Sequence, residues 1–211
     1  MNISTLHKRD GLVMKVIIST LYEGKAVKVA ISKLSPDKIV LLTDEPTDKI
    51  REESIKELRC FFKDIIIIET LKTSVYNITE IVGKTTKKID EEFSQGNDVL
   101  IHITEGRKIT SLALLFAGFL RKSKINGAYY FTEENNNMIS LPLIEMYLGE
   151  TKKGILKQIE SGNGLAKDLK EKLEVKQSAV YQHLQELKKE GYIISDDDGL
   201  KLTELGRLVI L

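Results

Sequence analysis

In the stretch ITEGRKIT, residues 103–110, a glycine and two cations stand where one apolar run ends and a longer one begins. The run before it, DVLIHIT, has the length and β-branched content of a buried strand; the run after it, ITSLALLFAGFL, is long enough for a helix. Arg107 and Lys108 therefore fall at a helix start, whose unpaired N–H groups already carry partial positive charge. Cations face the wrong pole there unless an anion joins them, and spare N–H donors beside a glycine suit phosphate. The alternative is that both are surface residues paired with Glu105 or Glu23.

Holding such a loop in place takes a sheet. Strand-like runs VMKVIIST, IVLLTD, DIIIIET, DVLIHIT and GAYYFT alternate with amphipathic stretches, the rhythm of a parallel sheet with helical crossovers. The expected fold class is α/β, a Rossmann-like, doubly wound, mainly parallel sheet. In the common order 3-2-1-4-5 the first and fourth strands are neighbours, and ligands gather beyond their C-terminal ends. Those ends are IISTLYEG and IHITEGRKIT, which bring Ser19 and Thr20 together with Thr104, Gly106 and the two cations. In TDKIREESIKELRCFF, Thr47 reads as a cap and Ile50, Ile55, Leu58 and Phe62 as an inner stripe. Val75, Ile78, Ile81 and Val82 begin a third helix, and Leu112, Phe116 and Leu120 are expected to anchor the helix behind the cations. EENNNMISLPLI, with Pro142, reads as a hairpin closing the sheet at an edge.

Composition excludes several classes. With 42% hydrophobic and 30% charged residues the chain of 211 buries a core, and a net charge of +1 gives no overall basicity, so any nucleic-acid contact is local. Cys60 is the single cysteine, which rules out an intrachain disulfide and agrees with a reducing cytoplasm. His7, His102 and His183 lack ligand spacing, so no metal is expected. No apolar run is long enough to span a bilayer, and no membrane partner is expected. Residues 1–13 read as a leader, with Met14 an alternative start. STLYEGKA lacks the glycines of a dinucleotide fingerprint, although Asp44 ends the second strand where a ribose-binding acid would lie, and no P-loop occurs.

The strand rhythm ends near Thr151, giving a domain over 14–144, a linker over 145–150 and a second domain over 151–211. Three helical patterns follow, carried by Ile155, Leu156 and Ile159, by Leu165, Ala166, Leu169 and Leu173, and by Val180, Leu184 and Leu187. YIISDDDGLKL reads as two short strands around a turn, and LTELGRLVIL as a capped helix or an extended tail. This is the pattern of a winged helix-turn-helix. Gln177, Ser178, Tyr181 and Gln182, left free by the core of the third helix, would meet base edges, and Lys176, Lys188 and Lys189 phosphates. Asp196, Asp197 and Asp198 at the wing tip would be repelled by a phosphate backbone. The alternative is a small helical domain used for protein contacts.

IHITEGRKITSLAL resembles the signature loop of CRISPR-associated Rossmann-fold (CARF) domains, in which a hydroxyl residue and a glycine precede a basic residue at a helix start. A CARF domain followed by a winged helix-turn-helix is the architecture of the archaeal CRISPR-associated transcriptional regulators of type I-A systems, and the resemblance spans nearly the whole chain. It implies a CARF homodimer with a cyclic oligoadenylate, commonly the tetra-adenylate, across its two-fold axis, as a regulatory ligand and not a cofactor. On that resemblance Ser19 and Thr20 line the base or ribose region, and Thr104, Gly106, Arg107 and Lys108 hold phosphates. Glu105, in the same ligand loop, stands where related loops often carry a second glycine, and its charge must point away from phosphate. The expected partners are double-stranded DNA, a cyclic oligonucleotide and a second copy of the chain; the expected role is ligand-responsive transcription regulation in antiviral defence, with no catalytic residue assigned. The enzyme alternative is a metal-free ring nuclease, slow in turnover, in which Lys108 stabilises the pentavalent phosphate and Ser19 orients the attacking hydroxyl. A pure interaction module would show no salt-sensitive DNA binding.

Overall fold

Each β-branched run forms a strand and each amphipathic stretch a helix in the computed structural model, which describes residues 13–146, 148–196 and 199–211. The leader expected over 1–13 lies, except for Val13, outside the described residues. The first domain runs β1 (Lys15–Thr20), α1 (Lys25–Leu34), β2 (Lys38–Asp44), α2 (Lys49–Phe61), β3 (Ile67–Thr73), α3 (Ile78–Ser94), β4 (Asp98–His102), α4 (Lys108–Leu120), β5 (Gly127–Phe131) and β6 (Met138–Ser140). The strands form one sheet in the order β3-β2-β1-β4-β5-β6, parallel except for β6, which pairs antiparallel with β5 at the edge. Strands β1 and β4 are neighbours, with Ser19 opposite His102.

Both faces of the sheet are covered, which is why the central strands are apolar without alternation. Ile17, Ile39 and Leu41 pack against Val27 and Ile31 of α1 and Ile55 and Leu58 of α2. Val16, Ile18, Val40 and Ile101 pack against Ile81, Val82 and Ile89 of α3 and Ala113, Leu114 and Ala117 of α4. The helices depart from expectation at three residues: Val75 precedes α3, which Asn77 caps, and Ile50 and Leu112 face outward. Ile50 is 44% and Leu112 51% exposed, whereas Arg51 is buried. Asp48, not Thr47, caps α2, by accepting from the Arg51 N–H; the Thr47 hydroxyl donates to the Asp44 carbonyl.

The second domain comprises α5 (Glu150–Glu160), α6 (Ala166–Leu173), α7 (Gln177–Lys189), the wing strands β7 (Ile193–Asp196) and β8 (Gly199–Leu202), and α8 (Glu204–Val209). Ile155, Leu156, Ile159, Leu169, Val180, Leu187, Ile193 and Leu202 form its core. Leu165, expected inside, is the exposed N-cap of α6. The C-terminal segment is a helix, with the Thr203 side chain accepting from the Gly206 N–H. It serves both domains: Val209 lies in the winged-domain core, while Leu208 lies in the sheet-domain core against α3 and α4. Thr79 of α3 donates to Glu204 at 2.5 Å, and Arg121 donates to the Leu211 carbonyl at 2.6 Å.

Candidate ligand crevice and nucleic-acid interface

At the N-terminal end of the sheet a cluster of charges around Glu92 is paired within the protein. Glu92, fully buried, accepts from Lys38 at 2.6 Å and pairs with Lys88 at 3.1 Å, and both lysines reach Glu69. Burial works to raise the Glu92 carboxyl, but Lys38, Lys88 and Asn97 outweigh it and hold it below its ordinary value.

The C-terminal end is different. Here helix N-termini collect, and three of the four are occupied by the protein's own side chains. Asp48 caps α2 and Asn77 caps α3. The N-terminus of α1 takes the carboxylate of Glu105, which accepts from the N–H groups of Tyr22 (3.0 Å), Gly24 (2.8 Å) and Ala26. Glu105 thus points away from α4, into a neighbouring helix mouth that would otherwise attract an anion. Only a chain that folds over the end of β1 can deliver it there. Gly106 permits this, at φ +92°, where an added Cβ would lie 3.2 Å from Thr20 Cβ and 3.3 Å from the Leu21 carbonyl oxygen.

Helix α4 keeps its four spare donors: its N-cap, Arg107, makes no capping bond and its first turn holds no acid. Lys108 is exposed and makes no ion pair among the described residues. Arg107 pairs with neither Glu105 nor Glu23. Its Nε donates to Asp44 Oδ2 at 2.8 Å, carrying it across the end of β1 to the end of β2, and that pairing raises its pKa. The same Asp44 oxygen lies 3.3 Å from Arg51, which is buried, donates to the Leu21 carbonyl at 3.1 Å and pairs with Asp48. Asp44, 3% exposed and flanked by two guanidinium groups, is closed to a ribose. Each arginine also carries a tyrosine ring, Tyr22 at 5.1 Å from Arg51 and Tyr76 at 5.7 Å from Arg107.

Beneath the loop runs a buried relay. The Phe131 N–H donates to Thr104 Oγ1 at 2.8 Å, Thr104 lies 2.7 Å from His102 Nε2, His102 Nδ1 lies 2.8 Å from Ser19 Oγ, and Ser19 donates to the Thr20 carbonyl at 2.9 Å. With the Ser19 proton on that carbonyl, the chain closes when His102 carries its proton on Nδ1 and accepts from Thr104. Burial lowers the His102 pKa to about 4, so the ring is neutral near pH 7. Ser19 and Thr20, expected to line the ligand, are fully buried behind Gly106, and the Ser19 hydroxyl is committed to the relay instead of facing an attacking group. Thr20 Oγ1 and, in the first turn of α4, Thr110 Oγ1 are buried without a hydrogen-bond partner.

In the winged domain, α7 repeats the signature of α4. Its N-cap is Lys176, which makes no capping bond, and its first turn has no acid. Among the described residues α4 and α7 are the two α-helices whose N-cap is a cation and whose first turn holds no acid. Gln177, Ser178, Tyr181 and Gln182 are exposed on α7, with Gln182 donating to Glu186 at 3.0 Å. Lys176 and Lys189 are exposed without ion pairs among the described residues, and Lys188 reaches Ser195 of the wing at 3.2 Å. Asp196 pairs with Lys201 at 2.7 Å, which offsets its charge; Asp197 and Asp198 lie outside the described residues.

The sequence profile described as HFX_2341_N:-like, N-terminal, matches residues 16–136, more than half of the chain. The chain belongs to this family. The profile of the arsR family of bacterial regulatory proteins (HTH_5) matches residues 149–195, which span α5, α6, α7 and most of β7. The second domain is therefore an ArsR-type helix-turn-helix of the DNA-binding kind with a small hairpin wing. An uncharacterized protein of Archaeoglobus fulgidus is 26% identical over 191 residues, covering 82% of this chain and 85% of the relative. Among solved structures, Enterococcus italicus Csm6 bound to cyclic hexa-2'-fluoro-hexa-dAMP superposes with a TM-score of 0.50 at 10% identity, covering 84% of this chain and 55% of that one. Can2 from Sulfobacillus thermosulfidooxidans, in complex with cyclic tetra-adenylate, gives 0.43 at 13% identity, covering 92% and 62%. The chain thus spans less than two thirds of either solved protein, and its likeness to Csm6 is one of fold alone, a Rossmann-like sheet.

Within the HFX_2341_N:-like domain the structure brings Thr104, Glu105, Gly106, Arg107 and Lys108 together near Ser19 and Thr20; Thr104 and Glu105 are bonded inward, Arg107 to Asp44, and Gly106 and Lys108 are exposed. Sequence reasoning missed Arg51, Tyr22, Tyr76 and the role of His102. A histidine inside the apolar run LIHIT was the one available signal, because a buried imidazole needs two partners.

Proposed function

We propose that this protein is a ligand-responsive DNA-binding regulator, in which a dimer of the sheet domain (14–144) senses a cyclic oligoadenylate, the tetra-adenylate first among them, and the winged domain (151–211) binds promoter or leader DNA. The observation that carries the reading is the uncapped, doubly cationic start of α4, left open at the end of the sheet where the other helix mouths are filled from within. In a two-fold dimer, two copies of Arg107 and Lys108 would face a ring of phosphates, neutralising charge that neither protomer closes alone. The CARF-like fold supports a nucleotide of this class, since Csm6 holds a cyclic oligonucleotide in its solved structure. The matching open start of α7 supports phosphate contact by the third helix, and in this reading the exposed Tyr181 and Gln182 meet base edges.

Beyond the linker, α8 joins the domains, its Leu208 and Val209 sitting in different cores. A rearrangement at Arg107 reaches α3 through Tyr76 and α8 through Thr79. Half-sites about 34 Å apart make DNA affinity sensitive to small rotations of the paired helices. The test is fluorescence anisotropy of DNA from upstream of the protein's own gene, with and without cyclic tetra-adenylate. A shift in Kd of roughly 5- to 150-fold, in either direction, is expected of a coupled pair of sites; ligand binding with unchanged DNA affinity refutes the regulatory reading.

A further inference from the structure

We infer that Tyr76 is a nucleobase-stacking platform for the ligand held at the start of α4, with Tyr22 as a second platform. Tyr76 is 74% exposed, so packing in the core does not explain a large ring there. It is not loose. The backbone around it is fixed by the Asn77 N–H donating to Ser74 Oγ at 3.0 Å, the Ser74 N–H donating to Glu80 at 3.2 Å, and the Glu80 N–H donating to Asn77 at 3.0 Å. The Arg107 guanidinium lies over the ring, and Asp44 holds that guanidinium by its Nε. Tyr22, 40% exposed, lies on Arg51 in the same manner, and Arg51 meets the same carboxylate oxygen.

Two aromatic rings, each set on a guanidinium and both referred to one buried aspartate, flank the mouth of the crevice. A guanidinium plane holds an aromatic ring in orientation at little entropic cost. A flat aromatic ligand group can then stack on the open surface of the ring, and bases of any sequence do so on tyrosine. The residue that orients Tyr76 is also the N-cap of the helix whose donors face phosphate, so one arginine sets both the phosphate end and the base end of a bound nucleotide. The inference rests on the proposed ligand class and adds the group that reads its base.

The test is calorimetric titration of cyclic tetra-adenylate into the full-length parent, Tyr76→Phe and Tyr76→Ala. Truncation of an exposed side chain leaves folding intact, and loss of a stacking partner weakens binding roughly 5- to 100-fold. Tyr76→Phe keeps the ring and should bind like the parent, and inorganic tripolyphosphate, which has no base, should not distinguish the variants. The sequence contains no tryptophan, so Tyr76→Trp provides a single reporter whose emission cyclic tetra-adenylate should quench and tripolyphosphate should not. If the parent binds and Tyr76→Ala binds equally well, the platform is wrong and the ligand reading stands. If the parent itself does not bind, the ligand reading fails and the platform with it.

Discussion

Replacing Glu105 with alanine removes the anion that closes the start of α1. Its carboxylate accepts three backbone N–H groups, those of Tyr22, Gly24 and Ala26. The Tyr22 bond is exposed, so water replaces it; the other two are partly buried. A hydrogen bond to a charged group contributes roughly 1.5–3 kcal/mol, and two of them, discounted for overlap, put the loss at about 2–4 kcal/mol. For a domain of this size each kcal/mol lowers Tm by roughly 2–4 °C, so thermal unfolding followed by circular dichroism should show a fall of about 5–15 °C. Glu105→Gln retains an acceptor oxygen without the charge and should fall between. The vacated helix mouth then becomes an anion site, and sulfate should raise the Tm of Glu105→Ala more than that of the parent. A loss below about 1 kcal/mol, or equal sulfate responses, would refute the view that Glu105 acts as an internal anion.

Three further outcomes follow from particular contacts. His102 is kept neutral in the folded state by burial, with its pKa lowered to about 4 from 6.5, so the unfolded chain binds the extra proton between these values. The associated stability is complete above about pH 6.5 and falls by about 3 kcal/mol as pH drops toward 4; urea titrations across that range should show it, and His102→Gln should flatten the slope. Gly106→Ala combines a left-handed φ with backbone contact at 3.3 Å, and should cost roughly 1–3 kcal/mol and displace Glu105 from α1, read as lost amide protection at Gly24 and Ala26. At Gly206 an added Cβ would overlap the Tyr192 carbonyl oxygen; Gly206→Ala should shift α8 off the wing and destabilise the winged domain by roughly 1–3 kcal/mol, with an unchanged urea midpoint counting against that packing.

The strand order was legible because buried parallel strands are continuous β-branched runs, and because the common order 3-2-1-4-5, which this sheet follows, sets β1 beside β4. The helix-turn-helix was legible from the apolar spacing of Val180, Leu184 and Leu187 and the short link before α7. The phase of α4 was not. Its sequence is apolar all round, so periodicity could not tell Leu112 from Leu114; the inner face is set by Ala113, Ala117 and Gly118, the last so close to the sheet that an added Cβ would meet Ile101 at 2.8 Å. The reading of Ile50 as an inner residue of α2 failed for a related reason, since Arg51 is buried beside it. Hydropathy ranks arginine outside, but Asp44, Asp48 and the Leu21 carbonyl, brought together only by the fold, satisfy it inside. The same holds for the site. That Arg107 and Lys108 stand at a helix start could be read from the chain; that Glu105 turns to α1 and Arg107 to Asp44 depends on bonds spanning 79–83 and 63 residues. Leu208 was read as part of the second domain because it follows the wing, and no local pattern places it in the core of the first.

On the proposed function, the open start of α4 receives the phosphates of a cyclic oligonucleotide. Titration calorimetry of cyclic tetra-adenylate into the parent and into the Arg107→Ala/Lys108→Ala double variant tests it most directly. A saturable isotherm is expected for the parent, with affinity falling as salt rises, and at least a tenfold loss in the variant. Equal affinity in the two proteins would contradict it.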